Sequence, residues 1–155
     1  MSDILAAVYR GDRDEAERLA AGKEVDVFEA SALGQAARLR ELLDEDPSLT
    51  NAWADDGFQP LGLASFFGHT DAARLLVERG AEVNSASRNP MKVMPLHSAA
   101  AAQDPGVRYE IAKLLLEAGA HPNARQQDDY TPLMAADQHG DQRLRELLVE
   151  HGATT

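Results

Sequence analysis

The sequence predicts an all-helical solenoid of about five stacked helix-turn-helix units, the first one abbreviated. Three observations carry this. Landmarks recur at one offset: Asn51 to Asn84 and Gly119 to Gly152 are each 33 residues apart. From Gly57 onward each unit reads Pro-Leu, a small-residue helix, a break, a leucine-rich helix and Gly-Ala. The composition is 44% hydrophobic but only 5% aromatic, so the helices must pack through alanine and leucine. One such unit cannot bury its apolar stripe alone, and stacked neighbours do it instead.

The elements follow in order. ILAAVYRGDRDEAERLAAG, residues 4–22, gives a first helix pair, with Asp12 and Glu15 at capping-box spacing before the second helix. Gly11 to Gly34 is only 23 residues, so the connection after this pair is shortened. VFEASALGQAARLRELLDEDPSLTN, residues 27–51, repeats the pair without Pro-Leu. Gly34 to Gly68 is 34 because the DEDPS loop adds one residue.

The third unit opens at Gly57 and the fifth at Asp129. Pro60, Pro95 and Pro132 each suit the first position of an inner helix, where a missing N–H costs nothing. Thr131 can cap the helix from Pro132, whereas Gln59 and Met94 stand at that place in the other two units. Met94 offers no oxygen, which should weaken that start by about 1 kcal/mol. Gly68 and Gly140 end inner helices, and Gly80, Gly119 and Gly152 end outer ones. Asp141 can cap the last outer helix. The leucines Leu75, Leu76, Leu114, Leu115, Leu116, Leu144, Leu147 and Leu148 fall at spacings of three and four, an apolar stripe.

The fourth unit is longer. Gly80 to Gly119 is 39, six more than 33. Pro60 to Pro95 is 35 and Pro95 to Pro132 is 37, so two extra residues precede Pro95 and four follow it. The second insertion, around Asp104, Pro105 and Gly106, is expected to delay the outer helix. The approximate units are 1–26, 27–52, 53–85, 86–124 and 125–155, in a single domain.

A repeat of about 33 residues opened by T-P-L-H resembles the ankyrin repeat. The residues that carry the resemblance are Thr131-Pro132-Leu133, Pro95-Leu96-His97, Gly68-His69, Gly140-Asp141, and Gly80-Ala81 through Asn84. It covers nearly the whole chain. The alanine- and arginine-rich, cysteine-free makeup is similar to that of short bacterial ankyrin-repeat proteins. The resemblance implies projecting β-turn fingers between units, one with its tip at Asp55-Asp56-Gly57. At another tip Asp129 takes the glycine's place, in a left-handed conformation that Asp tolerates at some strain.

Charge and composition exclude several classes. A net charge of −11 with no basic run argues against binding nucleic acid or an acidic membrane surface. No cysteine is present, so disulfides, zinc knuckles and thiol nucleophiles are excluded. The first twenty residues have no signal-peptide pattern, and no apolar run is long enough to span a bilayer. The expected setting is cytoplasmic and monomeric.

Catalysis finds little support. His97, Ser98 and Asp104 are close in sequence, but helical neighbours one apart do not face each other. His97 occupies the repeat's own T-P-L-H position, where it would bond between adjacent units. His69, His121, His139 and His151 form no zinc spacing, and no phosphate loop or nucleotide fingerprint occurs. No cofactor, metal or catalytic residue is expected.

What remains is surface. The resemblance implies that partners bind on the concave side, at the finger tips and the exposed ends of the inner helices. There the chain carries Trp53, Asp55, Asp56, Phe58, Phe66 and Phe67 in the third unit. The fourth contributes Arg88, Met91 and Lys92, with Ala101 and Ala102, and the fifth Arg125, Gln127, Asp128, Tyr130, Gln138 and His139. Tyr9 and Arg10 hold the matching place in the first, while Tyr109 and Phe28 lie elsewhere. The rings can serve as partner anchors or as local packing, and both readings stand. The expected function is a non-catalytic protein-interaction module. The alternatives are an accessory subunit that binds a small molecule, or a structural protein that self-associates.

Overall fold

A computed structural model describes residues 1–155, and it is all-helical. Five inner helices alternate with five outer ones. The inner set is α1 (Asp3–Tyr9), α3 (Val27–Leu33), α5 (Pro60–Phe66), α7 (Pro95–Ala101) and α9 (Pro132–His139). The outer set is α2 (Arg13–Ala20), α4 (Ala36–Glu45), α6 (Thr70–Glu78), α8 (Pro105–Glu117) and α10 (Gln142–Glu150). Inner helices stack in sequence from α1 to α9, and α4, α6, α8 and α10 stack behind them.

Alanines such as Ala64, Ala99, Ala100 and Ala136 let the inner layer close up against Leu39, Leu43, Leu76, Leu115 and Leu148 of the outer one. Those five leucines are buried, and each contributes about 1.5–3 kcal/mol of apolar burial.

The caps are mostly where local rules put them. Asp12, Thr131 and Asp141 accept from the backbone amides of Glu15, Met134 and Leu144. Glu15 does not close its box, because its carboxylate pairs with Arg18. The closed capping box lies instead at Asp26 and Glu29. Gln59 and Met94 make no side-chain cap. His97 partly compensates the second, its Nδ1 accepting from the Met94 amide at 3.2 Å.

Three asparagines clasp one unit to the next. Asn51, Asn84 and Asn123 donate through Nδ2 to the carbonyls of Gly80, Gly119 and Gly152. Their Oδ1 atoms accept from the amides of Glu82, His121 and Thr154. Each clasp satisfies backbone groups left open where an outer helix ends.

The second insertion does not delay the outer helix. It lengthens it: α8 has 13 residues against nine in α6 and α10. Four residues are about one helical turn. Pro105 stands at the start of α8 and Asp104 caps it, accepting from the Val107 amide. The extra turn brings in Arg108, 5% exposed, whose guanidinium donates to the carbonyls of Ala102 and Gln103 and to Asp141 Oδ2 at 2.8 Å.

Gly34 illustrates how closely units approach. Its φ is +76°, and an added Cβ would lie 2.4 Å from His69 Nδ1. His69 bonds through Nε2 to the Ala32 carbonyl at 2.8 Å. Gly80 has a similar φ, +88°, but open space around it. Gly80→Ala should therefore cost only the left-handed strain, about 1 kcal/mol. Gly34→Ala should cost at least about 1 kcal/mol more, as His69 is pushed off its carbonyl. Urea unfolding of the two variants checks the difference, and equal losses would remove the steric argument.

Candidate protein-binding groove

Three fingers project ahead of α5, α7 and α9. Each closes on itself by a backbone bond: Ala54 N–H to Phe58 O, Ser87 N–H to Val93 O, and Gln126 N–H to Tyr130 O. Neighbouring fingers are also joined, Arg88 N–H to Gly57 O and Gln127 N–H to Met91 O, both at 2.8 Å. The middle finger, which holds the first insertion, is braced further. Asn89 accepts from Ser87 Oγ and the Met91 amide, and donates to the Asp56 carbonyl. Left-handed residues make the bends: Gly57, Lys92, and both Asp128 and Asp129.

The fingers and the inner helices enclose a groove of about 460 Å³. Of the residues expected at a binding surface, Phe58, Phe66, Phe67, Met91, Tyr130, Gln138 and His139 line it, together with Tyr9. Phe66 and Met91 are 44% and 47% exposed, so large apolar surface is left open here. Phe67 packs edge-to-face with both Phe66 and Tyr9, so these rings support each other while walling the groove. A second groove, of about 700 Å³, lies beyond them toward Gly11, Arg13 and Asp104.

The other expected residues sit around this groove. Trp53 is covered by the Arg88 guanidinium, 4.0 Å from the ring centroid, a cation–π contact. Asp56 accepts from Tyr9 Oη at 2.6 Å and from the Phe58 amide. Burial first, and then this bond to a carboxylate, push the Tyr9 phenol above its ordinary range. Asp55, Lys92, Gln127 and Asp128 are exposed at the finger tips. Tyr130 Oη donates to Gln138 Oε1 at the far end of the groove.

Part of the groove floor lies outside the residues expected from the sequence. It includes Leu63, Ser98 and Ala135, each three residues after its helix-opening proline. Phe66, Ala101 and Gln138 come three further on. This is one helical face read in register, and the spacing alone could have marked it.

The His97–Ser98–Asp104 grouping does not assemble. His97 Nε2 bonds the carbonyls of Ala124 and Tyr130 at 3.0 and 3.2 Å, tying α7 to the third finger. Nδ1 accepts an amide hydrogen, so Nε2 carries the proton and the ring is neutral. Burial lowers the His97 pKa, against smaller opposing effects of these carbonyls. Asp104 is spent on capping α8. No cluster of side chains in the structure could hold a metal ion.

A family model described as ankyrin repeats (3 copies) matches residues 27–126. The chain is similar to the Drosophila melanogaster E3 ubiquitin-protein ligase Ufd4, 37% identical over 109 residues, covering 70% of this chain and 4% of that protein. It is also similar to the ankyrin repeat, SAM and basic leucine zipper domain-containing protein 1 of Ornithorhynchus anatinus. There the identity is 33% over 143 residues, covering 92% of this chain and 29% of that protein. The ankyrin repeat and SAM domain-containing protein 6 of Rattus norvegicus is 33% identical over 108 residues, 68% of this chain and 11% of its own length. The chain thus spans less than a third of each of these relatives, all of them animal proteins rather than bacterial ones. The period, the stacked helix pairs and the family match agree, and the chain belongs to the ankyrin-repeat family.

Proposed function

We propose that this chain is a non-catalytic module that binds a protein partner in the groove between its fingers and inner helices. Ankyrin repeats generally mediate protein–protein interaction. The observation that carries the reading is the convergence of Tyr9, Phe58, Phe66, Phe67, Met91 and Tyr130 on one open groove. Aromatic and methionine side chains are enriched at the centres of protein interfaces, and a few of them supply most of the binding energy. The reading includes a cytoplasmic monomer that contacts neither nucleic acid nor membrane. Its net charge of −11 supports the exclusion of nucleic acid.

Co-purification from native cells tests it. Wild type should recover a protein partner that a Phe66→Ala, Met91→Ala variant loses by about thirtyfold or more, since one hot-spot residue is worth about 2 kcal/mol. Both residues lie outside the buried core, at 44% and 47% exposure, so the variant should fold normally by circular dichroism. Undiminished recovery by the variant rejects the groove. The groove's volume also suits a small organic ligand, which keeps an accessory, ligand-binding role as the second reading. A small molecule retained by wild type, with no protein partner recovered, would favour it.

A further inference from the structure

We infer that the groove's occupant is an extended segment of the partner, with an uncharged apolar core flanked on both sides by basic side chains. This rests on the protein-binding reading above and names the chemistry of what binds.

The groove lining contains no Asp, Glu, Lys or Arg, although 26% of the chain is charged. A charged group placed there would lose its hydration and find no counter-charge. Phosphorylated or acidic cores are thereby disfavoured. Ser98, Ala101 and Ala135 make a floor of small side chains on which a partner main chain can lie. Neutral hydrogen-bonding side chains line it: the Gln126 carboxamide, and the Gln138 NH2 left over after Gln138 Oε1 takes the Tyr130 hydroxyl.

The flanks are set by the fingers. Asp55 and Asp56 precede Phe58 on the first, and Asp128 and Asp129 lie between Gln126 and Tyr130 on the third. On the middle finger Lys92 lies between Met91 and Val93. Asp129 is paired with Arg125, and Arg88 is stacked on Trp53, whereas Asp55 and Asp128 make no ion pair. The finger charges therefore run negative, positive, negative on a chain of net charge −11. The two outer fingers therefore call for basic flanks, while the uncharged lining between them, which Lys92 does not enter, calls for a neutral core. Two inter-helix steps of about 10 Å separate the outer fingers, roughly six residues of extended chain.

Selection of a random dodecapeptide display library on the immobilised full chain tests this. The expected pool carries large apolar residues between Lys or Arg residues about five to seven positions apart. Its binding should be abolished by Ala101→Trp, which fills the groove from an exposed floor position. A synthetic peptide from the pool should bind an Asp55→Lys, Asp128→Asn variant about fivefold more weakly at low salt, and the gap should close as salt rises. A pool that needs the open groove but has no basic flanks overturns this inference and leaves the groove reading intact. A pool that binds Ala101→Trp equally well overturns both. No enrichment overturns the peptide inference, while co-purification with the Phe66→Ala, Met91→Ala variant still judges the groove.

Discussion

Arg108→Ala is expected to lower the unfolding free energy by about 3–5 kcal/mol, the usual cost of removing one partner of a buried ion pair. The side chains of Arg108 and Asp141 are 6% and 8% exposed, so solvent does little to screen the loss. Asp141 would be left charged and nearly dry, and the carbonyls of Ala102 and Gln103 would lose their donor. With a domain's whole stability at about 5–15 kcal/mol, this approaches unfolding. Asp141 also caps α10, so Asp141→Ser separates its two roles by keeping a cap while removing the charge. Chemical unfolding should rank wild type above Asp141→Ser and both above Arg108→Ala. A loss under about 1 kcal/mol for Arg108→Ala, the value of a surface pair, would contradict the buried-pair account.

The second large effect is expected at His97. His97→Ala removes the partner of the Met94 amide and of the Ala124 and Tyr130 carbonyls. Leaving buried backbone groups unpaired should cost about 2–4 kcal/mol in all. The same histidine makes stability fall in acid. Burial holds the folded-state pKa of His97, and likewise of His69, below the ordinary 6.5. The unfolded chain therefore takes up protons at these sites first. Their contribution is intact above about pH 7, is lost as pH falls below 6.5, and levels off once the folded-state values are passed. Unfolding free energies measured from pH 7.5 to pH 5 should slope downward with acid, and His97→Ala should flatten part of that slope. An unchanged slope in the variant would mean that His97 titrates alike in the folded and unfolded chain, against the burial argument.

Much of this architecture was legible because it is local. Capping oxygens at Asp12, Thr131 and Asp141, prolines at helix starts and left-handed glycines act within a few residues of themselves. The second insertion was misread because Asp104-Pro105-Gly106 looks like a loop. The rule applied to Pro60, Pro95 and Pro132 also holds for Pro105, which opens α8 behind an Asp cap. Gly106 costs the helix about 1 kcal/mol, and burial of Ile111 and Leu115 outweighs it. Arg108 and Asp141 are 33 residues apart, a single repeat offset, but nothing local says that an arginine turns inward.

The candidate site was legible in part. Inner-helix ends such as Phe66 and Gln138 keep helical register, so their direction follows from spacing. Finger residues do not. Trp53 looked like an anchor from sequence, yet Arg88 of the next finger covers it. Met91, brought in with the first insertion, is the finger residue that reaches the groove with much of its surface open.

The Tyr9–Asp56 bond joins α1 to the first finger, 47 residues away, across a unit that has no finger of its own. In a one-dimensional array coupled only between nearest neighbours, the end unit frays by itself. Here the first unit is tied to the third. Pulling the chain open from its N-terminus, or melting α1, strips Tyr9 from the groove wall and frees the Asp56 carboxylate in the same event. The terminal helix is thus a tether on the binding face, and its loss should be felt at the groove before the middle of the array has unravelled.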